Sequence, residues 1–268
     1  QRLLFTPEGE VRPDVVEDLL AVIVDGSTAA RLQSSFPLDR AYESGYFVSL
    51  LYYMGLLTLQ EQEGWLRLGI PNYAIRTLYW ETFARLLQDL HHPELPSTRV
   101  DVAIETMARK GDIAPFLTLI FTRVLRKLSN RDLIRLDEKT MKVLLLAYLS
   151  LSEVFFAWSE VELSFGYSDL VLVPSRAQPA AQYGFVVELK YLKTSARPSQ
   201  IEAAFAEAEA QVERYASDRA LLPLLLGDRE LKAGSLVFVG AKKVLFRPWN
   251  AAPRVALKGR KRPSSKRG

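Results

Sequence analysis

Cysteine is missing from all 268 residues, and histidine is nearly so, with only His91 and His92. The first absence excludes disulfides, thiol catalysis and thiolate-ligated zinc or iron–sulfur centres, and it fits a reducing, cytoplasmic setting. The second leaves a Ser/His/Asp triad only one adjacent pair to draw on, in His91-His92-Pro93-Glu94. Neighbouring histidines at the end of a helical stretch point apart, so they read as solvated end residues. No apolar run reaches the ~20 residues needed to span a bilayer. The most apolar one, from Val143 to Trp158, is interrupted by Ser150, Ser152 and Glu153. A G-x-x-x-x-G-K-[ST] phosphate loop is absent, and no secretory signal pattern opens the chain. Gln1 stands where a methionine would, so the chain is expected to be a piece of something longer.

What is present is an ordinary globular composition, 49% hydrophobic and 25% charged, long enough for one large domain or two smaller ones. Net charge is +4, yet Lys258, Arg260, Lys261, Arg262, Lys266 and Arg267 crowd the last eleven residues, which leaves the rest of the chain at −2. A basic Gly/Ser/Pro-containing tail is expected to be disordered, and such a tail suits phosphate-rich partners.

Helical spacing is found over 12–24, about 42–54, about 71–90, 97–109, 113–128 and 137–158. Between the second and third of these, Leu56–Glu61 and Trp65–Ile70 flank Gln62-Glu63-Gly64 and read as a small hairpin, a winged-helix-like arrangement. From Val161 the pattern changes to short β runs at about 160–164, 168–174 and 183–191. A helix over Pro198–Ala216 follows, then strands over 235–239 and 243–246. The expected architecture is a mixed α/β sheet flanked by helices and preceded by a mainly helical region.

The densest chemistry lies between Glu162 and Lys190. Asp169 heads the apolar run Leu170–Val173, and a second apolar run, Phe185–Val187, ends in Glu188-Leu189-Lys190. Strand alternation puts Glu188 and Lys190 on one face and Val187 and Leu189 on the other. Charges at the ends of buried strands are costly unless paired or bound to something. One reading is an ion-paired set that fixes register. The other is a metal site, in which Asp169, Glu188 and the Leu189 carbonyl hold Mg²⁺ or Mn²⁺ through oxygen. A lysine beside such a site would orient or deprotonate a water and shield developing phosphate charge. Farther on, Gln211 and Tyr215 lie four apart on one helix face.

Asp169, Glu188-Leu189-Lys190 and Gln211-x-x-x-Tyr215 together resemble the PD-(D/E)xK nuclease superfamily. More narrowly, they resemble its bacterial branch, in which a nuclease-like domain follows an AAA-type ATPase-like domain. Glu162-Leu-Ser-Phe-Gly166-Tyr-Ser-Asp169 keeps that branch's Glu, second Gly and Asp, with Tyr167 where an arginine is usual. Leu236–Val244 is similar to the family's closing hairpin, and 44–79 to its linker segment. The resemblance implies a restriction-endonuclease-like fold and Mg²⁺-dependent hydrolysis of nucleic acid, with DNA the expected substrate. It also implies that Asp169 and Glu188 bind metal, that Lys190 is catalytic, that Gln211 and Tyr215 line the site, and that Glu162 adds an acid. Glu153 is a further acid that such folds sometimes use. The expected division is 1–130 helical and winged-helix-like, 131–250 nuclease-like, and 251–268 tail, with any ATPase-like partner domain upstream. The alternative is a nuclease fold retained as a binding or regulatory module that cuts nothing.

Overall fold

The computed structural model describes residues 12–249 except 30, 36, 42, 63–64, 92–94, 96, 128–135, 160, 165 and 219. The basic tail, the pair of histidines with Pro93-Glu94, and most of the polar connector near Arg131 fall outside what can be described at side-chain level.

The N-terminal part is helical with a small sheet. Helix α1 (Pro13–Asp25) starts on a proline, whose missing N–H is no loss in a first turn, and ends at Gly26, whose φ of 71° closes it in the left-handed region. Strand β1 (Ser27–Thr28) follows, then α2 (Ser44–Tyr53), β2 (Thr58–Gln62), β3 (Trp65–Gly69), α3 (Tyr73–His91), α4 (Ser97–Lys110) and α5 (Ala114–Arg123). The expected hairpin is β2–β3, and β1 joins it as a third strand on the far edge of β3.

Helix α6 (Glu138–Leu149) is the hinge of the architecture. Asp137 caps it by accepting a hydrogen bond from the Thr140 N–H at 2.9 Å. Every residue from Thr140 to Leu149 is buried, as befits a helix packed on all sides. It lies between α3 and α1 on one side and the main sheet on the other. The sequence reading carried this helix on to Trp158. The chain instead turns after Leu149 and forms β4 (Phe155–Trp158). An apolar run fits helix and strand equally well by pattern. Here Phe155 and Ala157 turn inward while Phe156 faces solvent, which is strand alternation.

A two-stranded ribbon, β5 (Val161–Leu163) with β6 (Gly166–Ser168), leads into β7 (Leu170–Pro174) and the ten-residue β8 (Tyr183–Leu192). Helix α7 (Pro198–Ala216) matches its sequence expectation end to end, started by Pro198 and by the Arg197 N–H donating to Gln200 Oε1. A short α8 (Leu222–Leu226) precedes β9 (Glu230–Val239) and β10 (Lys243–Pro248). The five-stranded sheet has the order β10-β9-β8-β7-β4, parallel between β8 and β9 and antiparallel elsewhere. The parallel pair needs a crossover, which α7 supplies.

Two faces of this sheet are covered differently. Leu170, Leu172, Phe185, Val187 and Leu189 join one apolar cluster with α6 and the N-terminal helices, a cluster that runs continuously from Val15 to Phe238. Val171 and Val186 face the other way, onto Val212 and Tyr215 of α7 and Leu222 of α8. Alternation along β8 therefore directs Glu188 and Lys190 to the α7 side of the central strand. Gly184 is required where β8 passes α8, because a Cβ there would meet the Leu226 side chain and stand 2.9 Å from the Leu172 carbonyl oxygen.

Candidate metal centre

The site arises where one strand outlasts its neighbour. Pairing of β7 with β8 ends at Leu170↔Val187, while β8 continues to Leu192. Beyond that point the β8 edge would have unpaired N–H groups, and carboxylates satisfy them. Asp169, in the bend between β6 and β7, accepts the Leu189 N–H on Oδ2 at 2.9 Å. Glu138, in the first turn of α6, accepts the Tyr191 N–H on Oε2 at 3.3 Å. The N–H and C=O of one strand residue project to the same side, so the Leu189 carbonyl leaves the strand on the edge that Asp169 caps.

Glu188 is only 3% exposed. Its Oε1 lies 3.5 Å from Lys190 Nζ, and its Oε2 is buried without a hydrogen-bond partner among the described residues. Burial, reinforced by the charge of the neighbouring Asp169 carboxylate and opposed by that of Lys190, pushes the Glu188 carboxyl up to about 8. Two carboxyl groups so placed cannot both ionise cheaply without added positive charge.

Lysines supply some of that charge. Lys190 Nζ lies 3.0 Å from Glu207 Oε1 on α7. Burial alone would lower its pKa, but the Glu207 hydrogen bond and the charges of Glu188 and Glu138 outweigh burial and raise it. Lys142, one turn after Glu138 on α6, places Nζ 3.3 Å from Asp169 Oδ1. Glu138 is itself raised, by burial against the pull of Lys190 and with the push of Asp169. The outcome is a partly buried cluster of Glu138, Asp169, Glu188, Lys142 and Lys190 along the β8 edge that β7 leaves open.

Of the two α7 residues expected at the site, Tyr215 lies within electrostatic reach of this cluster, and no contact ties Gln211 to it among the described residues. Gln211 has a buried Oε1 with no partner among the described residues. Tyr215 is buried, and its hydroxyl donates to the Tyr167 carbonyl at 2.8 Å. Burial and then the Glu188 charge raise the Tyr215 pKa, which places the phenol within the field of the acids. Gly166 sits at φ 131°, where an L side chain is strained, although a Cβ there would make only ordinary contact with that hydroxyl at 3.5 Å. Glu162 is different. It is exposed on β5 opposite Tyr167, and no hydrogen bond or ion pair ties it to the cluster among the described residues. Glu153 lies in the turn after α6, outside the helix. The sequence reading passed over Glu138 and Lys142. The signal for them was a lysine inside the otherwise apolar Met141–Leu149, with an acid four residues before it.

A divalent ion fits this donor set with limits. Among the described residues no three His, Cys, Asp or Glu side chains form a ready cluster for a metal. Two carboxylates and a carbonyl, with water completing the shell, is nonetheless a donor set that Mg²⁺ accepts. The partnerless Glu188 Oε2 has an acceptor's need for such an ion.

No described helix is long and apolar enough to cross a membrane. No curated protein and no solved structure matches the chain. The five-stranded mixed sheet flanked by helices is consistent with a restriction-endonuclease-like fold, and residues 136–246, which contain the whole cluster, match the family model of the PD-(D/E)XK nuclease superfamily.

Proposed function

We propose that the chain is a divalent-metal-dependent nuclease that hydrolyses phosphodiester bonds of nucleic acid, with DNA as substrate. The observation that carries this reading is the meeting of Asp169 and Glu188 where β7 leaves one edge of the central strand open, with one Glu188 oxygen buried and without a partner among the described residues. Asp169, Glu188 and the Leu189 carbonyl would hold Mg²⁺ or Mn²⁺. When bound, the ion would supply Lewis-acid polarisation of the phosphate and a water acidic enough to attack. Lys190, cationic and held between Glu188 and Glu207, orients the attacking water and offsets charge developing on the phosphate. Gln211, one turn after Glu207 on α7 and with an acceptor that is buried and has no partner among the described residues, would line the same space, and Tyr215 fixes the ribbon that carries Asp169. Glu162, exposed on β5, is given only an assisting role as an additional acid. In this reading 131–250 carries the chemistry, 1–130 is a helical, winged-helix-like module, and 251–268 tracks phosphates. An ATPase-like domain is the expected upstream partner, in a bacterial cytoplasm.

The test is cleavage of DNA by the purified chain with Mg²⁺ or Mn²⁺, set against Lys190→Ala. Loss of about 10²-fold or more in rate is expected for a positioned acid–base or charge-stabilising group, and unchanged cleavage removes Lys190 from the mechanism. A second reading is a nuclease fold kept for binding or regulation. The Lys142–Asp169 contact favours it, because an internal cation already neutralises one of the proposed ligands. Calorimetry with Mn²⁺ separates the two, since a binding-only module has no need to take up the ion.

A further inference from the structure

Among the described residues Lys142 is the only lysine or arginine in the buried set. It sits in a helix that is buried along its length, where an ammonium is tolerated only if its charge is met. Asp169 meets it, and the arrangement leaves that carboxylate fully engaged: Oδ1 faces the Lys142 ammonium at 3.3 Å and Oδ2 accepts the Leu189 N–H. On its other side Lys142 borders a cavity of about 360 Å³ between α1, β2, α3 and α6. That cavity is also lined by Asp25, Ser27, Glu61 and Ser159. A Lys142 side chain leaving Asp169 therefore has a neighbouring space whose lining holds oxygen acceptors, alongside the Arg76 side chain.

From this geometry we infer that Lys142 is a resident cation of the acid site. It neutralises Asp169 while no metal is bound, and it is displaced toward the neighbouring cavity when a divalent ion takes the carboxylate. The inference rests on the metal reading of Asp169 and Glu188 given above. Lysine suits the task. Its ammonium is a single-point contact on a flexible four-carbon stem, whereas an arginine fork would grip the carboxylate at two points. The device keeps the Asp169–Glu188 pair from facing each other uncompensated in the empty protein. It also lowers metal affinity, because the ion must displace an existing partner. Metal uptake then leaves a previously buried amine facing a cavity.

Two measurements test it. In the first, Mn²⁺ is titrated calorimetrically into the wild type, Lys142→Met and Lys142→Arg at fixed pH and ionic strength. Lys142→Met is expected to bind about tenfold more tightly and Lys142→Arg to bind no more tightly than wild type. Equal or weaker binding by Lys142→Met overturns the inference. The second measurement needs no variant, so it holds even if Lys142→Met does not fold. The wild type is acetylated with and without Mn²⁺, and peptide mass spectrometry compares Lys142 with the exposed Lys110. Acetylation of Lys142 relative to Lys110 is expected to rise severalfold with the ion, and no rise overturns the inference. If neither wild type nor Lys142→Met takes up Mn²⁺, the metal reading itself fails and takes this inference with it. If both take it up equally, only the role of Lys142 is lost.

Discussion

Replacing Glu188 by glutamine should remove most of the pH dependence of the metal-free protein's stability. Glu188 has its carboxyl raised from 4.5 to about 8, first by burial and then by Asp169. An acid whose folded pKa is raised holds its proton more firmly in the fold than in the unfolded chain. Its contribution is therefore complete below pH 4.5 and is lost as pH climbs through about 8. At 1.36 kcal/mol per unit, the full span corresponds to on the order of 5 kcal/mol. Lys190 lies 3.5 Å away, and its attraction already works against the shift. Few other groups disturb this window. Asp218 is lowered to about 2 by burial opposed and outweighed by backbone hydrogen bonds, so its contribution fails only in acid, below the range of interest. Glu138 is raised and adds a smaller slope of the same sign, which the glutamine variant keeps. The assay is urea denaturation in chelator at pH values from about 5 to about 9. Wild-type stability should fall steadily across that range and Glu188→Gln should stay much flatter. Saturating Mn²⁺ should restore the wild type at high pH and leave Glu188→Gln less affected. Wild-type stability that is level or rising over the range, or a variant with the same slope, refutes the reasoning.

Three further outcomes are expected. Tyr215→Phe removes the donor to the Tyr167 carbonyl and should cost about 1–2 kcal/mol in thermal or urea unfolding. Gly184→Ala should destabilise by about 1–3 kcal/mol through the crowding of Leu226 and the Leu172 carbonyl, as read from denaturant midpoints at unchanged m. Asp137→Ala should cost about 1 kcal/mol by uncapping α6. Because α6 also carries Glu138 and Lys142, amide exchange should rise first in that helix's opening turn, and Asp137→Asn should recover most of the loss.

Much of the fold could be read along the chain because local signals agreed with tertiary packing. The α7 boundaries follow from Pro198 and from the spacing of Ala204, Phe205, Ala208, Val212 and Tyr215, all buried on one face. The placement of Glu188 with Lys190 on one side of a central strand, and of Asp169 at the head of another, also follows from period and composition. The passage from α6 to β4 could not be read in this way. Leu149 to Trp158 is apolar throughout enough of its length to suit either state, and only the open edge of β7, waiting to pair with Phe155–Trp158, selects the strand.

The candidate site divides along the same line. The amino-acid order by itself determined which ionisable residues would stand at the ends of buried β runs, because a period of two and a run of β-branched and aromatic residues leave little choice of face. Only the tertiary structure decided what those residues meet. Glu138 and Lys142 reach Asp169 and Tyr191 from another layer of the molecule, across 27 to 53 positions of chain. Glu162 shares the run that leads to Asp169, yet it lies on a separate ribbon facing solvent. The physical reason is that electrostatic interactions depend on distance and burial in three dimensions, whereas sequence pattern encodes neighbours only as far as one element extends.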